Sequence, residues 1–259
     1  LYLNTGTPRF MEVAYLAGVA DTDWTWAVKF GDYDEDGRLD LFATNGMSRG
    51  FNDSDIPFEA LVGKTEWDVY RDTPPRRERN LAFANRGDLR FEPVGPAWGL
   101  DHEGMSFGAA YGDLDGDGDL DLVTMDLDEP LGAYRNNTAG THRVIVALQG
   151  IGGNRQGHGA RVRVEAGGVA QVRQLVWGTG FLASNEPVAH FGLGEASTFT
   201  LTVSWPGGGE SRFEGLAADR RYTVRQPDAR EPEIPAASRT PEPETLLTEP
   251  ETLLTEPET

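Results

Sequence analysis

The chain contains no cysteine among its 259 residues, which removes disulfides, zinc-thiolate sites and thiol catalysis from the functions open to it. It has four histidines, His102, His142, His158 and His190, and none stands near a nucleophile elbow, an HExxH pair or a phosphate loop. Each reads as a polar turn residue or a hydrogen-bonded histidine. No apolar run approaches the roughly 20 residues that cross a bilayer. Positive charge is scarce too: 23 Lys and Arg stand against 42 Asp and Glu, a net charge of -19, and no basic face offers itself to nucleic acid. The negative excess is uneven. Residues 32–40, 113–121 and 227–259 carry -4, -5 and -7, together -16, so the remainder is close to neutral. That argues against a general acidic surface shaped to mimic nucleic acid.

The first two of these segments have one pattern. Asp32, Asp34, Asp36 and Asp40, and again Asp113, Asp115, Asp117 and Asp121, occupy positions 1, 3, 5 and 9 of a nine-residue loop, with Gly37 or Gly118 at position 6. Adjacent like charges about 4 Å apart repel by about 1 kcal/mol even in bulk water, and a hard divalent cation removes that penalty. Calcium accepts six to eight oxygens in flexible geometry, so alternate side chains of a tight loop can supply it. Position 7, Arg38 or Asp119, offers its backbone carbonyl. Magnesium, with its strict octahedral demand, fits less well. An EF-hand needs Glu at position 12 and two flanking helices. Here position 12 is Ala43 or Thr124, inside short apolar runs that read as strands. The expectation is two calcium ions, one in each strand-to-strand loop. An ion-free acidic turn is the alternative, and recurrence of the loop weighs against it.

A fixed offset of 81 residues exposes a longer repeat. Asn4/Asn85, Gly6/Gly87, Phe10/Phe91, Val13/Val94, Gly18/Gly99, Trp26/Phe107 and Gly31/Gly112 align without a gap, so residues 1–46 recur as 82–127. A third start, at Tyr134 to Asn137, follows Asn85 by only 51 residues. The unit is therefore about fifty residues, a length typical of propeller blades, and the first copy holds an insertion over 47–80. Leu1 already lies inside a repeat, which implies a longer precursor with further blades.

The strings Phe30-Gly-Asp-Tyr-Asp-Glu-Asp-Gly-Arg-Leu-Asp-Leu and Tyr111-Gly-Asp-Leu-Asp-Gly-Asp-Gly-Asp-Leu-Asp-Leu resemble the FG-GAP/VCBS repeat of integrin-type β-propellers. The segment from Arg143 to Gln226 resembles the ASPIC/UnbV domain of cartilage-acidic-protein-like and bacterial secreted proteins. The matching residues are Gly153-Asn-Arg155, Gly157-His-Gly159-Ala-Arg161, His190-Phe-Gly-Leu-Gly194 and Val203-Ser-Trp205-Pro206-Gly207. This resemblance implies an extracellular setting and carries over no catalytic residue.

Without the resemblance, residues 143–226 still read as β. Val144–Leu148, Ala160–Glu165, Ala170–Val176, Thr198–Trp205 and Arg221–Arg225 alternate or run apolar between glycine-rich turns, which suggests a small sandwich with Trp205 in its core. From Pro227 onward there is no glycine or aromatic residue, and seven prolines and eight glutamates leave too little apolar surface for a core. From Pro243 a seven-residue period carries a proline each time, so an extended chain is expected there rather than a coiled coil.

The fold expectation is all-β: a partial β-propeller over 1–140, a β-sandwich over 141–226, and a Pro/Glu/Thr-rich tail over 227–259. The functional expectation is a calcium-binding, non-catalytic module outside the cell that adheres to a protein or glycan ligand. A subunit of a surface fibre built from copies of the chain is the alternative. Loops needing about 10⁻⁴ to 10⁻³ M calcium belong outside the cell. Paired-carboxylate hydrolysis of a polysaccharide ranks lower, because the carboxylates are committed to the ions. Glycans are expected at the Asn52 and Asn136 acceptor patterns and on Thr245, Thr248, Thr252 and Thr255.

Overall fold

The computed structural model describes residues 1–50, 57, 59, 62–227 and 236–239. These residues are all-β with three short helices. Strands β1 (Tyr2–Asn4) and β2 (Phe10–Glu12) pair as a hairpin, and helix α1 (Ala14–Ala17) follows, ending on Gly18 in the left-handed conformation. Strands β3 (Thr25–Gly31) and β4 (Asp40–Asn45) flank the first acidic loop. Helix α2 (Glu66–Asp72) lies in the insertion, and a hydrogen-bonded box between Thr65 and Asp68 fixes its start. The sequence also reads as one short helix near Glu59 to Val62, of which only Glu59 and Val62 are among the described residues.

After β5 (Glu78–Arg79), the second copy supplies β6 (Leu81–Asn85), β7 (Phe91–Pro93), helix α3 (Gly95–Trp98), β8 (Glu103–Gly104), β9 (Ser106–Gly112) and β10 (Asp121–Asp126). Strand β11 is Gly132–Tyr134. Helices α1 and α3 are the same element 81 residues apart, each capped by an aligned glycine, Gly18 or Gly99.

The sheets are offset from the sequence repeat. One antiparallel sheet has the order β3-β4-β6-β7, so the first copy provides its first two strands and the second copy its last two. The register pairs Leu41 with Phe83 and Phe42 with Ala82. The next sheet, β9-β10-β11, is built the same way from the second copy and the third start. The aligned aromatics Trp26 and Phe107 touch at 4.8 Å between ring centroids, and Phe181 closes on Trp26 at 4.7 Å. Ala27, Phe42, Ala82, Ala84, Ala109 and Leu122 are buried in the core these two sheets share.

The C-terminal strands are β12 (His142–Gln149), β13 (Arg161–Ala166), β14 (Val169–Gln174), β15 (Val188–Gly194), β16 (Thr198–Ser204), β17 (Glu210–Ala217) and β18 (Arg220–Arg225). Five follow the sequence expectation; β15 and β17 do not appear in it. Two sheets, β15-β12-β18-β19 and β14-β13-β16-β17, enclose one core. Here β19 is Ala236–Arg239. Alternate residues Val144, Val146, Leu148, Val162, Val164, Leu201 and Val203 fill that core, and Trp205 lies within it as expected. Each such side chain contributes about 1.5–3 kcal/mol on burial. Strand β19 extends the β18 edge by antiparallel pairing over residues 236–239, ahead of the proline-containing heptads. The rest of the tail lies outside the described residues.

Candidate metal centre

Loop 1 (32–40) leaves β3 and enters β4; loop 2 (113–121) leaves β9 and enters β10. In loop 1, one carboxylate oxygen each from Asp32, Asp34 and Asp40 lie within 4.8 Å of one another. In loop 2 the group is Asp113, Asp115 and Asp117, with the same limit. Ligands of one calcium ion sit 2.3–2.6 Å from it, so no two can be more than about 5 Å apart; both groups meet this condition.

Loop 1 adds a stronger sign. Asp32 and Asp40 are almost fully buried. Asp32 Oδ2 accepts hydrogen bonds from the Gly37 amide at 3.1 Å and the Gly192 amide at 3.0 Å. Asp32 Oδ1 and Asp34 Oδ1 are buried with no hydrogen-bond partner among the described residues. A buried acceptor left bare is costly, and a cation among these oxygens satisfies it. Burial pushes the carboxyls of Asp32 and Asp40 up to about 7 and raises that of Asp34. Asp113 and Asp121 are raised by burial as well. The residues of loop 1 thus fit a hard cation.

Two expected ligands stand apart from their groups. Asp36 turns outward to the Arg38 guanidinium, and Asp121 lies outside the loop 2 group. Position 9 has a structural task in both loops. Asp40 accepts the amides of Tyr33 at 2.9 Å and Asn85 at 2.8 Å. Asp121 accepts those of Leu114 at 2.9 Å and Asn136 at 2.8 Å. Each carboxylate therefore closes its own loop and ties it to the asparagine that opens the next repeat. The signal was present in the sequence as the recurring asparagine. At loop 2 the half-exposed Arg135 guanidinium reaches Asp115 at 2.6 Å and Asp117 at 3.4 Å.

Of the expected glycan positions, Asn136 donates its amide nitrogen to Tyr33 O at 2.8 Å, and a sugar on that nitrogen competes with this contact. Asn52, Thr245, Thr248, Thr252 and Thr255 lie outside the described residues.

Comparison with known families covers loop 2 but not loop 1. Residues 71–124 match the FG-GAP-like repeat, and residues 150–231 match the family described as ASPIC and UnbV. The chain joins an FG-GAP-like repeat to an ASPIC/UnbV domain. It is similar to cartilage acidic protein 1 of Homo sapiens, 28% identical over 80% of this chain and 37% of the relative. The Mus musculus protein of that name is 28% identical over 80% of this chain and 38% of its own length. The Xenopus tropicalis protein is 26% identical with the same coverages, 80% and 38%. The chain thus spans well under half the length of these relatives.

The ASPIC/UnbV domain itself touches both acidic loops. Strand β15 sends the Gly192 amide to Asp32 Oδ2 and the Gly194 amide to Glu35 O at 3.1 Å. His190 Nε2 donates to Gly118 O at 3.1 Å. His190 is therefore a buried strand residue and a hydrogen-bonded histidine, the second of the two readings its sequence context allowed. Burial lowers its pKa to about 3, so the ring is neutral. These contacts span 72 to 160 residues of sequence, and local motif reading cannot find them.

Proposed function

We propose that the chain is a calcium-binding, non-catalytic module of a larger extracellular protein. Ions in loops 1 and 2 would stiffen a repeat array and present a surface to a protein or glycan partner. The observation that carries this reading is the pair of bare, buried oxygens of Asp32 and Asp34, which a hard cation satisfies. When bound, the ion supplies positive charge and six to eight coordination positions. The chain's own residues do the rest: Gly37 permits the turn with φ of 90°, and Asp40 pins loop 1 to the next repeat.

The antiparallel sheets β3-β4-β6-β7 and β9-β10-β11 read as blades of a β-propeller, and the two C-terminal sheets as a β-sandwich. The extracellular setting is supported by similarity to proteins named for cartilage. Adhesion is favoured over fibre formation by one surface feature. On α2, Trp67 is 65% exposed and stacks on Tyr70 at 5.6 Å, with the Arg49 guanidinium 6.0 Å from the Tyr70 ring. An exposed tryptophan backed by a half-buried tyrosine and arginine is of the kind that marks contact surfaces.

The direct test is a calcium titration of the full chain after chelator treatment, read by calorimetry and thermal unfolding. Uptake of two ions with a raised midpoint of unfolding is expected, with magnesium much weaker. A melting curve that calcium does not move would refute the reading.

A further inference from the structure

Strand β15 lies across both loops at two-residue intervals. His190 meets loop 2 at Gly118 O, while Gly192 and Gly194 meet loop 1 at Asp32 Oδ2 and Glu35 O. A Cβ on residue 192 would overlap Asp32 Oδ2 and the Glu35 backbone, so the close approach requires glycine there.

The first strand of the same domain makes a second bridge. Arg143, on β12, places Nε 3.3 Å from Glu35 Oε1 and 2.6 Å from Asp119 Oδ1. Its Nη2 donates to Asp117 O at 2.8 Å. One guanidinium therefore spans position 4 of loop 1 and positions 5 and 7 of loop 2. Thr141 completes the contact by donating to Glu35 Oε2 at 2.6 Å.

Position 4 separates the two loops. In loop 2 it is Gly116, with φ of 85°, the residue type that this left-handed backbone favours. In loop 1 it is Glu35, with φ of 59° and a fully buried side chain. A side chain disfavoured by its backbone is kept where its carboxylate reaches Arg143. The loop 1 group does not include Glu35, whose carboxylate meets Thr141 and Arg143 instead.

We propose that the ASPIC/UnbV domain couples the two loops, so that an ion in one favours an ion in the other and both favour docking of the domain. The proposal rests on the calcium reading given above. A cation in loop 1 fixes the Asp32 carboxylate and the Glu35 backbone, the two groups that receive β15. The docked domain then brings His190 and Arg143 to the carbonyls of Gly118 and Asp117, ordering loop 2 before its own ion arrives. The ordering is done once and serves both sites, which is the condition for positive cooperativity.

The test uses calcium alone and the full chain. Disabling loop 2 with Asp113→Asn and Asp115→Asn should weaken calcium binding at loop 1 about tenfold, inside the usual range of coupling. In a Glu35→Gly background, which removes the Arg143 bridge but leaves β15 on Asp32 and on the residue 35 carbonyl, the same change should weaken loop 1 by clearly less than in the wild type. Arg143→Met should act like Glu35→Gly. Because it strands two buried carboxylates and can unfold the chain, Glu35→Gly carries the decision. In the wild type, calcium should also slow hydrogen exchange at the Gly192 and Gly194 amides. Equal loop 1 affinity with and without loop 2 would overturn the coupling while leaving two bound ions. Unchanged exchange at both glycines would overturn the docking. Absence of any calcium uptake would remove the functional reading and this inference together.

Discussion

The amide of Gly192 donates to the Asp32 carboxylate at 3.0 Å, joining residues 160 positions apart. The partner oxygen is on a carboxylate of the loop 1 group whose second oxygen is buried with no hydrogen-bond partner among the described residues. The interface between the two parts of the chain and the candidate ion site are thus two sides of one carboxylate.

That interlock makes two neighbouring glycines behave differently. Gly192→Ala forces a methyl group into Asp32 and the Glu35 backbone, and overpacking of this kind costs about 1–3 kcal/mol. Gly194 has φ of 56° and open space around it. Gly194→Ala therefore carries backbone strain alone, about 1–2 kcal/mol, and should keep its response to calcium. Urea unfolding with and without calcium distinguishes them: only Gly192→Ala is expected to shrink the calcium-dependent gain.

The pH dependence follows from Asp32, Asp40 and His190, with buried Glu35 and Asp119, also raised by burial, acting in the same sense as the two aspartates. Without a cation, burial holds Asp32 and Asp40 at about 7, above their unfolded value of about 4. Their contribution is complete below about pH 4 and is lost as pH rises toward 7. His190 acts in the opposite sense. Its folded value is about 3, so its contribution is complete above its unfolded value of about 6.5 and is lost as pH falls toward 3. Two carboxyls outweigh one imidazole, so the metal-free chain should lose stability from pH 4.5 to about 7. A bound cation holds the carboxylates ionised, so the calcium-induced rise in melting temperature should be larger at about pH 7.5 than at about pH 5. Melting curves at both pH values, in calcium and in chelator, check the order. Equal rises would show that Asp32 and Asp40 do not meet the ion.

The loops should also differ in affinity. Loop 1 has bare buried oxygens and one longer arginine contact, Arg86 to Asp34 at 3.5 Å, whereas at loop 2 Arg135 sits against both Asp115, at 2.6 Å, and Asp117 and must swing aside for a cation. Asp32→Asn is expected to abolish the tighter of two binding events and Asp113→Asn the weaker. Arg135→Gln should tighten loop 2 by severalfold. Calorimetric titration of the three variants checks this, and a weaker loop 1 in the wild type would contradict it.

The loops and the strands around them were legible because their determinants are local. Five acidic residues and a glycine within nine positions leave few alternatives, and the apolar runs after them can only be strands at that length. Strand β15 was harder to see. Its sequence Val188-Ala-His-Phe-Gly-Leu-Gly194 holds a histidine and two glycines, which lower strand propensity and are there to receive loop 1 and loop 2. Helix α2 had a readable start, Thr65 followed by Asp68, but too little apolar periodicity behind it. Lys29 shows the limit most clearly. Nothing in its local sequence signals burial, yet it is fully buried, with Nζ donating to Thr179 O at 3.0 Å and Asn185 Oδ1 at 2.9 Å. Burial lowers it to about 8, and its partners come from the other domain, beyond the reach of any local pattern.

Two tryptophans separate the binding surface from the core. Trp205 is 5% exposed, lies in the C-terminal core and donates from Nε1 to Ser211 Oγ at 3.0 Å. Trp205→Ala should cost about 3–5 kcal/mol, because it opens a cavity and strands a buried hydroxyl. Trp67, on α2, is 65% exposed and rests on Tyr70. Trp67→Ala should change stability by less than about 0.5 kcal/mol. A large side chain that folding does not need, held in the open by a ring stack, is expected where a partner binds. Urea unfolding of both variants tests the contrast. A loss above about 1.5 kcal/mol for Trp67→Ala would place that ring in the folded core's support and remove it from the proposed contact surface.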